Sequence, residues 1–564
     1  MFLIETQNYK KYRGIITFVF KLLSFVLYKM KLIDQHTKKI MEECKLRARD
    51  AGLKFEDESL EYIVTNKDML ELSPKGMIPT MYEYWVNDVE ILKEKGKYQL
   101  YPSNPYETVI NSRPAISFYN DNNPDWLNIM IFYHVLAHID FFQNNLLFKN
   151  TWTDDFVGQA LADKRLIEIL RSTHGRWLDY IIEFSRSINN LVGYFDHLMK
   201  TNLPETYKKE DKISYYFDIF MQDELKKPQH EIYNEINEYN KLIAKDKSLG
   251  ESLFFGEIRK KHPEFTSMYK KHLKTDKQPS VDILEFIRVH SPFLRKEKNL
   301  WMKSVMNIVR NTAMYFAPQI RSKIINEGWA SYWHDTLFRN DNRIKGHETS
   351  FAKINAKVTS INRIGLNPYA IGLRLFQYIE NQANKGRLNY DYQKIKDIEQ
   401  RKQYNKNTNK GKEFIFDIRK HFSDFTLLNT FIDQEFTDTY NLFVVGKRLN
   451  PQKRIYEYYI KSKKTDDYKQ MIINSLYHPP QIKVNTKKTN DKNLYLTHQF
   501  EYKQLIKDFI PDTLIGIEYL WGGQVQLETT EIYKKKKAGE QNKTYEYKRV
   551  LYTIKDKKIS KKDL

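Results

Sequence analysis

Two segments far apart in the chain carry metal-capable side chains at helical spacing: His134-Val-Leu-Ala-His138 and Asn326-Glu-Gly-Trp-Ala-Ser-Tyr-Trp-His334. A four-residue step turns a helix by about 400° and a seven-residue step by about 700°, so His134 stacks on His138 and Glu327 on His334. Two such faces brought together offer imidazole and carboxylate to a divalent cation, and a cation held that way supplies Lewis acidity for hydrolysis. Both segments are otherwise apolar, and unpaired imidazoles or a carboxylate buried there would be penalised. The plainer readings are a hydrogen-bonded pair of core histidines and, for Glu327, an ion pair with Lys323 one turn earlier.

The spacing departs from the zinc-hydrolase motif in one respect. His-Glu-x-x-His places a glutamate, the general base, directly after the first histidine. Here that neighbour is Val135. The ligands are therefore expected without the usual base, and proton transfer falls to a residue elsewhere, with Glu107 and His334 as the acid or base candidates. Tyr106, Asp140 and Arg310 are further polar groups within conceivable reach, and Asn145 lies on the histidine face two turns on, where its amide could support a ligand. Nucleophilic catalysis has no support, because there is no Gly-x-Ser-x-Gly elbow and the single cysteine, Cys44, has no histidine signature beside it. Phosphate-cradling glycine loops are absent as well.

One cysteine in 564 residues excludes an intrachain disulfide and any thiolate-rich metal site, so His, Glu and Asp must bind whatever metal is present. It also fits a cytoplasmic protein. The net charge of +21 comes from 92 Lys and Arg against 71 Asp and Glu, spread along the chain rather than gathered into a stripe. We therefore expect no specific nucleic-acid partner. The Lys534–Lys537 run and the lysines after it read as a solvated C-terminus. Residues 15–28 form an apolar stretch behind Lys10, Lys11 and Arg13, but Lys21 interrupts it and it falls short of the roughly 20 residues that span a bilayer. Membrane contact is expected only there, if the first 29 residues are translated at all.

The positioning elements follow from periodicity. Asp34 caps a helix, 115–120 reads as a short strand between Pro114 and the Asn-Asp-Asn-Asn-Pro124 turn, and Trp126–Phe148 reads as a long apolar helix. A strand feeding a histidine-bearing helix is the order of a zincin-like fold. The Glu327 helix is expected to start after Pro318, and another to follow Asn367-Pro368. Alternating runs such as Arg454-Ile-Tyr-Glu-Tyr-Tyr-Ile, Gln481-Ile-Lys-Val, Leu494-Tyr-Leu-Thr and Val525-Gln-Leu-Glu-Thr read as strands. The expected fold is α+β and predominantly α-helical. It comprises an extension at 1–33, a helical core at 34–445 with a polar insertion at about 231–280, and a smaller α+β domain at 446–564.

Several blocks in order resemble the SpoVR family, named for stage V sporulation protein R. They are Gly76-Met77, Tyr84-Trp85, Tyr106-Glu-Thr-Val-Ile-Asn111-Ser-Arg-Pro114, His134 to Asn145, Thr151-Trp-Thr-Asp154, Ile308-Val-Arg310, Tyr315-Phe-Ala-Pro318-Gln319, Asn326 to His334, and Asn367 to Phe376. A weaker likeness runs through Phe431–Phe436 to Leu520-Trp-Gly-Gly. The resemblance implies a role in spore cortex or envelope formation or in stress responses, and a link to a PrkA-type serine kinase. The Asn326-Glu-Gly-Trp-Ala-Ser-Tyr run is also similar to the Asn-Glu-Gly-Phe-Ala-x-Tyr segment of gluzincin aminopeptidases. Carried across, this implies that Glu327 joins His134 and His138 as ligands of Zn²⁺ or another divalent metal. The chain departs from its relatives at Ala137, where Gly is usual, and at Ser187 and Asn355, near which they carry histidines. Two functions follow: a metal-dependent, zincin-like hydrolase acting on an amide of cell-wall peptide or protein, or a non-catalytic regulatory or scaffold protein in the stress pathway.

Overall fold

Caps and buried polar contacts decide where the elements of this chain begin and end. A computed structural model describes residues 31–56, 58–65, 68, 107–151, 156–192, 212–225, 227, 229–245, 247–274, 282–362, 364–452, 454–476, 479–500, 504–535 and 544–564. The apolar stretch at 15–28, Tyr106, and Lys536 and Lys537 of the basic run lie outside them. In chain order, β1 (Lys31–Leu32) leads to α1 (Gln35–Asp50), where Asp34 Oδ1 accepts the Thr37 amide as expected of a cap. Then come β2 (Ser59–Val64), β3 (Glu107–Ile110), β4 (Ala115–Asn120) and α2 (Asp125–Asn144). Strands β1–β4 form one sheet in the order β1-β2-β4-β3, with β2 and β4 parallel and the outer pairs antiparallel.

The fold is predominantly helical with small sheets, and the strand at 115–120 does run into the histidine helix. That helix stops four residues short of the expected Phe148. Asn145 leaves the helix in an extended conformation, and its amide donates to the Arg419 and Phe422 carbonyls. The side chain read as a support for a metal ligand is thus spent docking the helix end. Helix α3 (Leu300–Arg321) contains Pro318 in its last turn, so the Glu327 helix, α4 (Lys323–Arg339), starts four residues later than expected from a start just after that proline. Its start is fixed from outside the segment. The buried Asp424 carboxylate accepts the Ile324 and Ile325 amides at 3.0 and 2.8 Å, satisfying donors that no local cap reaches.

Three more helices complete the surround: α5 (Glu348–Thr359), α6 (Pro368–Asn384), capped by Asn367, and α7 (Gly411–His421). Helix α8 (Asp424–Phe431) begins at the residue that caps α4. Beyond it lie an antiparallel hairpin, β5 (Val444–Asn450) and β6 (Ile455–Ser462), then β7 (Gln481–Val484), β8 (Asn493–Gln499), α9 (Ile510–Trp521), β9 (Gln524–Lys535), β10 (Thr544–Lys555) and β11 (Lys558–Asp563). The last five strands form a sheet in the order β11-β10-β9-β8-β7, in which β8 and β9 run parallel with α9 as the crossover between them.

The chain divides into two compact units, residues 1–192 with 283–564, and residues 193–282. The boundary expected at 445/446 falls inside the first, and the polar insertion expected at about 231–280 lies inside the second. Among its described residues the second unit has helices at Gln229–Lys245, Lys247–Lys261 and Phe265–Lys274. Its core is aromatic, with Tyr216, Phe220, Phe254, Phe255 and Phe265 buried together. No described helix of the chain is long and apolar enough to cross a membrane.

Within the first unit, α4 is packed between α2 and α6. Against α6 the contact is backbone on backbone: a Cβ at Gly328 would stand 2.4 Å from the Cα of Gly372, so only two glycines allow this crossing. Against α2 the contact is polar and buried. Asp140 Oδ2 accepts the Trp329 indole N–H at 2.8 Å and faces Arg419 Nε at 3.5 Å, while Oδ1 accepts the Lys54 amide at 2.7 Å. Four parts of the chain therefore meet on one carboxylate that is fully shielded from solvent. Replacing Asp140 by Ala strands the buried Arg419 guanidinium and the Trp329 N–H. Urea unfolding of Asp140→Ala is expected to show a loss of about 3–5 kcal/mol against the parent chain.

Candidate metal centre

The Asp140–Trp329 hydrogen bond lies two positions along each helix from the residues of interest: His138 precedes Asp140 on α2, and Glu327 precedes Trp329 on α4. With that register fixed, His134, His138 and Glu327 converge, each offering one ligand atom within 4.8 Å of the others. The His134 and His138 Nε2 atoms are 3.1 Å apart, and Glu327 Oε2 stands 3.5 Å from His138 Nε2 and 3.8 Å from His134 Nε2. A point equidistant from three atoms so spaced lies about 2.0 Å from each, the length of a Zn–N or Zn–O bond. Both rings are buried, whereas the Glu327 side chain keeps 16 % of its surface, so solvent reaches the cluster from the carboxylate side. Lys323, the alternative partner of Glu327 in sequence, is exposed at the start of α4.

The hydrogen bonds behind the rings bear on which nitrogens face the centre. His138 Nδ1 lies 2.9 Å from Asn326 Oδ1, an acceptor, which leaves Nε2 of the neutral ring bare. His134 Nδ1 lies 2.8 Å from His334 Nδ1, and His334 Nε2 lies 3.0 Å from Asn355 Oδ1. Asn355 in turn donates through Nδ2 to Asp335 at 2.8 Å, and Asp335 is paired with Arg339 at 2.9 Å. Two bare imidazole nitrogens 3.1 Å apart beside a carboxylate repel one another unless positive charge lies between them. In donor type, spacing and second contacts the residues fit a divalent cation.

The remaining candidates are dispersed. His334 stands behind His134, with its two ring nitrogens against His134 and Asn355. Asp140 belongs to the helix-locking contact, and Arg310 faces Glu285 at 3.9 Å. Glu107 opens β3, but its side chain lies outside the described residues. Asn326 and Asn355 were missed as partners of the histidines. Asn326 carried a signal, being adjacent to Glu327; Asn355, on another helix, was marked only as a place near which relatives carry histidine. A second polar cluster joins other blocks of the resemblance: Asn111 donates to Thr151 Oγ1 at 2.9 Å, and its carbonyl accepts the Tyr315 hydroxyl. Beside the histidines, a cavity of about 350 Å³ is lined by Met130, His134, His334, Asn355 and Tyr369, among others.

Burial pushes the His334 pKa down, to about 3, with the neighbouring His134 adding to the effect. Burial likewise pushes Asp140 up to about 6 and Asp424 up to about 7. These act on stability with opposite signs. His334 takes up a proton more readily in the unfolded chain, so its contribution is complete above pH 6.5 and is lost as pH falls toward 3. The two carboxyls bind protons more tightly when folded, so their contribution is lost as pH rises toward 6 and 7. In metal-free protein, His334→Asn is expected to remove only the first slope. Chemical denaturation between pH 6.5 and 4 should show the parent losing roughly 3 kcal/mol more than the variant.

No solved structure matches the chain. A curated protein of Escherichia coli (strain K12), "Uncharacterized protein YcgB", is 24 % identical over 342 residues, which are 56 % of this chain and 58 % of that protein. The matched stretch thus spans little more than half the length of that relative. A family model described as SpoVR like protein matches residues 28–480, a span that holds both histidines of α2, Glu327 and every side chain that supports them. That match covers well over half of the sequence, and the chain belongs to the SpoVR family.

Proposed function

We propose that this chain is a metal-dependent hydrolase in which His134, His138 and Glu327 hold Zn²⁺ or another divalent ion. The observation that carries the reading is the spacing of the three ligand atoms, which fits one ion at about 2.0 Å from each. The strand-to-helix order of β4 and α2 is in keeping with a zincin-like arrangement. Such an ion supplies Lewis acidity to a scissile carbonyl. Glu327, with its partly open side, leaves room for substrate and water beside the two buried rings. Asn326 holds a proton at His138 Nδ1 and keeps Nε2 turned to the centre. Proton transfer falls to Glu107 or His334, because Val135 is fully buried and carries no acid or base. Of these two, His334 has both nitrogens engaged. The substrate class is an amide of cell-wall peptide or protein. The setting is spore cortex or envelope formation or a stress response, with a PrkA-type serine kinase as partner.

Val135 favours a second reading, in which the same polar cluster is a buried structural network of a regulatory or scaffold protein that hydrolyses nothing. Elemental analysis of purified protein tests the first requirement. Near-stoichiometric divalent metal is expected, falling to background in His138→Ala, and metal-free parent protein would sink the metal-dependent hydrolase. With metal present, peptide hydrolysis lost in Glu327→Ala supports the enzyme. Metal retention without any cleavage of peptidoglycan peptides or casein supports the regulator.

A further inference from the structure

We propose that Asn355, held by Asp335 and Arg339, is a positioning residue that locks the tautomer of His134 through His334. This rests on the reading of His134 as a ligand. The argument begins at the charged end. Asp335 is gripped by the Arg339 guanidinium, with Nη2 at 2.9 Å and Nε at 3.0 Å from both carboxylate oxygens, so toward Asn355 it offers lone pairs only. Asn355 must therefore present Nδ2 to Asp335, at 2.8 Å, and this turns Oδ1 toward His334. An amide oxygen only accepts, so His334 carries its proton on Nε2, 3.0 Å away. His334 is almost wholly shielded from solvent, where a second proton would leave a buried charge, so with its one proton on Nε2 its Nδ1 is bare. That nitrogen, 2.8 Å from His134 Nδ1, requires the proton of His134 to sit there, which leaves His134 Nε2 bare toward His138 and Glu327.

Each link permits one orientation, and the direction of all of them is set by the Arg339–Asp335 pair on the outer turn of α4. The arrangement also differs from a histidine backed directly by a carboxylate. An amide between His334 and Asp335 passes no proton, so Asp335 orients the rings without drawing the proton away from His334. His134 then acts as a neutral ligand whose geometry is fixed before any ion arrives, which spares the site the cost of reorienting two buried rings.

The order of two variants at one position tests the lock, with Co²⁺ as the probe. Asn355→Asp keeps an oxygen acceptor for His334 Nε2–H, whereas Asn355→Leu matches the size of Asn355 and removes the acceptor. The lock predicts that Asn355→Leu weakens Co²⁺ affinity about 10- to 100-fold, with altered visible absorption bands, while Asn355→Asp stays within a few fold of the parent. A packing role predicts the reverse, because Asp beside Asp335 brings like charges together and Leu does not. Asn355→Leu binding as tightly as the parent, or more tightly than Asn355→Asp, overturns the proposal. Imidazole ¹⁵N spectra of the metal-free parent separate this result from the metal reading. They should show His134 protonated at Nδ1 and His334 at Nε2. If the parent binds no Co²⁺ while those tautomers are present, the metal reading falls and the lock stands. If His134 carries its proton on Nε2, the lock falls whatever the metal result.

Discussion

The centre of this protein depends on a single buried hydrogen bond between Asp140 and the Trp329 indole. It is one of several polar links between α2 and α4, beside the His138–Asn326 and His134–His334 contacts, and the one that also ties in Lys54 and Arg419. A carboxylate taken wholly out of water is tolerable only when its lone pairs are satisfied. Asp140 meets that demand with the Lys54 amide, the Trp329 N–H and Arg419, drawn from three other places in the chain. Satisfying it fixes the helices in register, and the neighbouring positions on each, His138 and Glu327, meet as a consequence. On the opposite side of α4, the Gly328–Gly372 crossing holds the helix from translating away.

The cluster so formed is electrostatically one-sided. Bare nitrogens of two rings and a carboxylate oxygen point at the same small volume, and the supporting amides of Asn326 and Asn355 keep the ring protons on the far side. Proton placement and helix register are thus separate devices serving the same three atoms. The register brings the ligand atoms together, and the amide contacts decide that they arrive as lone pairs. Val135, facing the core, separates this chemistry from peptidases that hold their base on the same helix.

Much of the centre was legible because helical periodicity is a local property. A pair of histidines four apart on an apolar run must share a face, and the two rings do lie together. The helix ends were read less well. The α4 start at Lys323 is set by Asp424, one hundred residues away, and the α2 end by Asn145 reaching the Arg419 and Phe422 carbonyls. Those partners have no local spacing to betray them. Asn355 was noticed only as a place where relatives carry histidine, and its contact with His334 depends on how α5 lies against α4.

The sequence by itself determined the ligand types, their placement in pairs on two helices, the missing base and the family likeness, since each is a matter of residue identity and a repeat of a few positions. Only the tertiary structure decided that the two pairs share one centre, which face of each ring turns inward, and that His334 stands behind His134. Those outcomes hang on contacts between segments far from one another in the chain, where a buried carboxylate and a glycine crossing select one packing among many that the same periodicity allows.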